Sequence, residues 1–245
     1  MVRRRPVTHE DDALDARETT GVRVLTVARG GGLDALAEGL HGVSTDTSAR
    51  CVVLTGDLDL PVSDAADEAV VPTVVTALAA LPQPVVVAVA GTARGAGLAL
   101  ACAADLRVLA HDACLDTGVD ADALPPLGGL SWTLPRLLGR GRATDLLLRP
   151  RVVGAGEALT LGLATYVVPA PELDDEVQAL AEELAARPPL AVAATKRSLS
   201  HAADDGLVGT MQVEAQRAAM LRRSRDHAEA RAATAEGRPP VFEGR

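Results

Sequence analysis

The chain has 245 residues, a net charge of −9 at neutral pH and a hydrophobic content of 48%, enough for one sizeable core and one domain with an appended helical piece. The acidic balance argues against nucleic acid or an anionic membrane as partner, since both recruit positive fields, and no apolar run approaches the ~20 residues of a membrane span. With one Phe, one Trp and one Tyr, the core must be built from Ala, Val and Leu.

Residues 1–16 are Arg-rich and then acidic, without the apolar stretch of a signal peptide, and residues 1–20 read as a disordered arm. Val22–Val27 alternates like a strand. The loop Arg29-Gly-Gly-Gly32 and a short helix over Leu33–Leu40 follow. Cys51–Leu54 reads as a strand, and Ala66–Leu81 as a helix interrupted at Pro72. Val85–Val89 is a β-branched run of the kind buried on both faces. After the glycine corner Gly91, Gly95, Gly97 come a small-residue helix, Leu98–Ala104, and a strand, Leu106–Leu109. Pro125-Pro126 stiffens the loop 122–127. Helices are expected over Leu130–Leu138, near Ala143–Leu148, over Glu157–Leu161 and over Asp174–Ala186. The last has an apolar stripe at Val177, Leu180, Ala181 and Leu184. Two long helices, Leu190–Ala203 and Val208–Arg231, close the chain. Repeated strand-then-helix units place it in the α/β class, with right-handed crossovers. Residues 21–188 form the core and 189–245 a helical region.

Cys51, Cys102 and Cys114 lie in apolar surroundings without CxxC spacing, and read as free thiols in a reducing cytoplasm. The five histidines show no metal-ligand spacing. The glycine corner is the richest local signal. Glycines let the backbone turn sharply and approach a ligand, and a helix start leaves N–H groups unpaired and partly positive. That pattern suits an oxyanion site or a tight strand-to-helix packing turn. A dinucleotide-binding loop does not fit, because no GxGxxG follows an early strand.

Several segments taken in order carry a more specific signal: Leu33-Asp-Ala-Leu36, Cys51-Val-Val-Leu-Thr-Gly56, Pro84–Ala110, Leu134-Pro-Arg-Leu-Leu-Gly139, Glu157–Ala164 with Val167-Val-Pro169, Thr195-Lys-Arg197 and the tail Pro239–Arg245. Together they resemble the crotonase (enoyl-CoA hydratase/isomerase) superfamily over residues 22–245. The resemblance implies a ββα spiral core with a C-terminal helical trimerisation region, assembly as a homotrimer or hexamer, and an acyl-CoA thioester as substrate. Coenzyme A enters as part of that substrate, with no permanently bound cofactor, in lyase or isomerase chemistry of the fatty-acid type.

In this family two backbone N–H groups hold the thioester oxygen while an enolate forms. The resemblance puts them at Ser63 and Ala96. Relatives have alanine and glycine there, and Ala96 adds a methyl group where a glycine is usual. Asp64, Ala65, Arg94, Gly95 and Lys196 fall on CoA-facing positions. Asp64 brings negative charge to that loop, while Arg94 and Lys196 fit either phosphate contacts or a solvated face. The two glutamates that hold water in hydratases correspond to Ala99 and Val119, and the alternative aspartate of some relatives to Leu127. None of these carries a proton, so two-glutamate hydration is not expected. Asp120 and Asp122 are substitute acids, with Asp116 and Asp64 nearby, or else turn-forming loop residues. Asp105 resembles a structural pairing residue, and Trp132 a wall or packing residue. Two readings stay open: an acyl-CoA enzyme with a diverged mechanism, and a catalytically inactive paralogue that binds or assembles with a partner.

Overall fold

In the computed structural model, residues 14–29, 32–62, 65–118 and 125–245 are described. The α/β class holds. Strands β1 (Leu14–Thr19), β2 (Val22–Val27), β3 (Cys51–Gly56), β5 (Val85–Val89), β7 (Leu106–Ala110) and β10 (Tyr166–Val168) form one sheet in the order β1-β2-β3-β5-β7-β10. Its pairs are parallel except β1 with β2. A second sheet runs β4 (Asp59–Leu60), β6 (Thr92–Gly95), β8 (Cys114–Asp116), β9 (Val153–Gly154), with β8 and β9 antiparallel.

The chain alternates between the two sheets. β3 and β4 lead into α2 (Ala65–Ala80), and β5 and β6 into α3 (Ala96–Ala103). β7 and β8 precede α4 (Leu130–Leu138) and α5 (Arg140–Leu148). Each turn of this spiral therefore lays one strand in each sheet before a helix closes it. α1 (Leu33–Thr45) joins β2 to β3, and α6 (Ala155–Leu161) joins β9 to β10. α7 (Leu173–Ala185) buries Leu173, Val177 and Ala181 over the strands of the first sheet, the stripe expected from sequence.

All five residues of β5 are buried, as its unbroken β-branched run requires. The core is aliphatic throughout. α3 has no exposed face, since every residue from Ala96 to Cys102 is buried. Its small side chains let it lie close between neighbouring elements. Burial also pushes the thiols of Cys51 and Cys102 up to about 12, because a thiolate there would lose its hydration.

Several boundaries differ from the sequence reading, three of them with a clear physical reason or consequence. The arm expected over 1–20 gives way at its end to β1, because Leu14 packs over Gly39 on α1, where a Cβ would come within 2.3 Å of the leucine; residues 1–13 lie outside the described residues. α3 starts at Ala96 rather than Leu98. The helix expected over Val208–Arg231 is two: α8 (Pro189–Leu221), broken internally at Gly206, and α9 (Arg225–Glu236), whose N-cap Ser224 accepts a hydrogen bond from His227 N. That cap satisfies a donor left over at the helix start.

Candidate functional site

The site is built where β6 turns into α3. Gly95 ends the strand at φ +57 and caps the helix. A side chain there would meet Leu60 O at 2.7 Å, and one at Gly97 would stand 1.9 Å from Leu58 O. Both glycines are therefore required by the close approach of the 58–60 segment. Ala96 is the first residue of α3 and 1% exposed. The positive φ belongs to Gly95, and Ala96 is not among the described residues with φ > 0. Its extra methyl thus creates no backbone strain, contrary to what a glycine-to-alanine departure suggested. The Ala96 amide lies in the first helical turn, where no carbonyl four residues back is available.

Leu60 pairs with Gly95 in register, so the strand that leads toward Ser63 runs beside the strand that ends just before Ala96. Val62, the last described residue before Ser63, is buried. Ser63, Asp64, Val119, Asp120 and Asp122 lie outside the described residues. Ala65 opens α2.

α3 is also held at its other end. Arg107, buried in β7, donates to the carbonyls of Ala101 (3.2 Å) and Ala104 (2.8 Å) at the end of α3 and to Leu163 O (2.7 Å). Burial lowers its pKa, while three carbonyl acceptors favour its charged form. The sequence signal for this residue is a lone charge inside the apolar strand Leu106–Ala110.

Arg94 pairs with Asp59 across the β4–β6 ladder, Nε to Oδ1 at 2.7 Å, with about a third of its side chain exposed. Its charge is thereby half engaged at the rim of the corner. Lys196 is engaged within the chain. Its ammonium donates to Asp105 Oδ2 at 2.6 Å and Gln83 O at 3.0 Å and is largely buried, because the start of α8 rests on the start of β5. Asp105 in turn accepts from Val85 N at 2.7 Å, the structural role expected of it.

Ala99 is fully buried in α3. Gly128 covers it so closely that a Cβ at Gly128 would come 2.5 Å from the Ala99 methyl and 3.0 Å from Val71 Cγ1. Leu127 is half-buried and packs against the core. The described surroundings of Ala99 are thus apolar. Trp132 is not a packing residue: it is 52% exposed, with the Arg136 guanidinium 3.7 Å above its ring. Asp116 is tied locally, its Oδ1 accepting from Gly118 N at 3.0 Å.

Known proteins share this fold. The family model for enoyl-CoA hydratase/isomerase matches residues 31–245. The chain belongs to that family, within the crotonase superfamily. A Mycobacterium tuberculosis protein described as a probable enoyl-CoA hydratase is 37% identical, over 84% of this chain and 81% of its own. The 1,2-epoxyphenylacetyl-CoA isomerase of Escherichia coli is 33% identical, over 86% and 87%. In three dimensions an enoyl-CoA hydratase from Bacillus anthracis superposes with a TM-score of 0.89 at 28% identity, over 96% of this chain and all of that one. The hydratase/isomerase fold is therefore present across nearly the whole chain. Among the described residues, no helix is long and apolar enough to cross a membrane.

Proposed function

We propose that this chain binds an acyl-CoA thioester and polarises its carbonyl with the amides of Ser63 and Ala96, in hydratase/isomerase-type chemistry whose acid–base step has diverged. The carrying observation is the Gly95–Ala96 corner: a left-handed glycine that aims the first amide of α3, pressed against the 58–60 segment. Preorganised backbone donors stabilise an enolate whatever side chains surround them. Coenzyme A comes with the substrate, and Arg94 at the rim is the cation offered to it. Asp120 and Asp122 are the candidate acids. A homotrimer or hexamer acting in the cytoplasm completes the reading.

The alternative is a catalytically inactive paralogue that binds or assembles with a partner. One observation favours it, the apolar and closely covered Ala99 where hydratases of this family carry a glutamate. Proton-transfer groups contribute ~10²–10⁴-fold each, so an enzyme of this kind would hydrate crotonyl-CoA very slowly. Calorimetric titration with crotonyl-CoA and with free CoA tests both readings. Micromolar crotonyl-CoA binding, tighter than CoA and accompanied by slow turnover, is expected. Binding without turnover of any acyl-CoA supports the inactive paralogue, and no binding at millimolar ligand overturns the thioester reading.

A further inference from the structure

Beside the corner sits a polar group that has no partner among the described residues. Thr117 follows β8 and is 4% exposed, and its Oγ1 is buried without a hydrogen-bond partner. The last registered pair between β6 and β8 is Arg94 with Asp116. One residue further, Thr117 comes level with Gly95, immediately before the Ala96 amide. The next residue lies against the same corner: a Cβ at Gly118 would stand 3.5 Å from Arg94 Cγ and 3.6 Å from the Cα and N of Gly95. The turn that presents Thr117 is fixed by the Asp116 Oδ1 bond to Gly118 N. A buried hydroxyl left unpaired costs free energy, and such groups are rare in folded chains.

We infer that Thr117 is a specificity-determining residue, whose hydroxyl hydrogen-bonds an oxygen substituent on the acyl group and makes the chain prefer hydroxyacyl or oxoacyl thioesters to plain alkyl ones. The inference rests on the acyl-CoA reading above. In the proposed reading the thioester oxygen lies at the Ala96 amide, where β6 ends. Thr117 comes from the neighbouring strand, one inter-strand spacing of ~4.8 Å away, so its hydroxyl is offered to an oxygen on the acyl chain next to the carbonyl rather than to the thioester oxygen itself. A site that offers a buried hydrogen-bonding group discriminates strongly against a ligand that cannot pair with it.

The test is isothermal titration of wild type, Thr117→Val and Thr117→Ser with butyryl-CoA and 3-hydroxybutyryl-CoA, alongside thermal melting of each variant. Wild type is expected to bind the hydroxyacyl thioester about 10-fold tighter or more. Thr117→Val should bring the two ligands within about 2-fold, while Thr117→Ser keeps the preference. Thr117→Val should melt at the wild-type temperature or above it, since an unpaired hydroxyl is removed. Equal wild-type affinity for the two ligands overturns the inference and leaves the thioester reading standing, as does a preference that survives in Thr117→Val. A Thr117→Val protein that melts several degrees lower also overturns it, because the hydroxyl would then already be satisfied in the free chain. If wild type binds neither thioester, the acyl-CoA reading falls and carries this inference with it.

Discussion

At the scale of single residues, the site depends more on what is missing than on what is charged. Gly97 has no side chain to separate α3 from Leu58 O, and Gly95 supplies the one backbone conformation that an L-residue resists. Gly97→Ala puts a methyl 1.9 Å from a carbonyl oxygen that is held by Arg94 N at 3.0 Å. We expect a loss of about 3 kcal/mol or more in urea unfolding, with acyl-CoA binding weakened in whatever protein folds. A Gly97→Ala protein as stable as wild type would mean that the 58–60 segment yields easily. Arg107 works oppositely, as a charge inside the core that gathers carbonyls at the far end of α3. One helix is thus held by the smallest side chain at its start and by one of the largest beyond its end.

At the scale of elements, the strands with unbroken apolar runs were legible because burial on both faces leaves little choice of residue. Val85–Val89 is recovered to the residue. β1 was not legible: it is an edge strand, and what makes it a strand is a leucine settling on a distant glycine, a fact of tertiary packing. The break at Gly206 was foreseen as a gap between helices. The second break, at Ser224, was missed because the surrounding arginines carry no apolar period to interrupt. At the site, the glycine corner marked the turn into α3, whereas the Lys196 ion pair was not legible, because a basic residue early in a helix looks alike whether it meets a phosphate or a partly buried aspartate. Thr117 belongs to no motif; its burial alone marks it.

Two turns between elements have a measurable signature in acid. Asp46 follows α1, where the hydroxyl and N–H of Ser48, and then Arg23, hold its carboxyl down to about 2. Glu229 on α9 is held down to about 2 by the paired bonds from Arg238, with Val241 N adding to them. Both carboxyls titrate lower in the folded chain than in the unfolded one, so the folded state gains from them above the ordinary carboxylate range. That gain is lost as pH falls from about 4 through about 2. Urea midpoints measured from pH 5 to pH 2 should drop across this window, and Glu229→Gln should drop less. An unchanged slope in Glu229→Gln would show that the Arg238 pair contributes nothing to stability in solution.

At the scale of the whole molecule, α8 carries Leu199, Leu207, Val208, Met211 and Met220, each more than half exposed. Exposed apolar side chains gathered on one helical region are what a subunit interface requires, in keeping with the proposed homotrimer or hexamer. Val208→Glu with Met211→Glu should convert the assembly to monomers in size-exclusion chromatography with light scattering, with the far-UV spectrum of the fold retained. A monomeric wild type, or a variant that stays assembled, would remove α8 from that role. The near absence of aromatic residues has a practical side. The single indole stands at the surface under a guanidinium, so its emission follows events around α4 and is a poor witness to collapse of the interior. Fluorescence would record a ligand arriving nearby long before it recorded denaturation, and the two should be followed with different light.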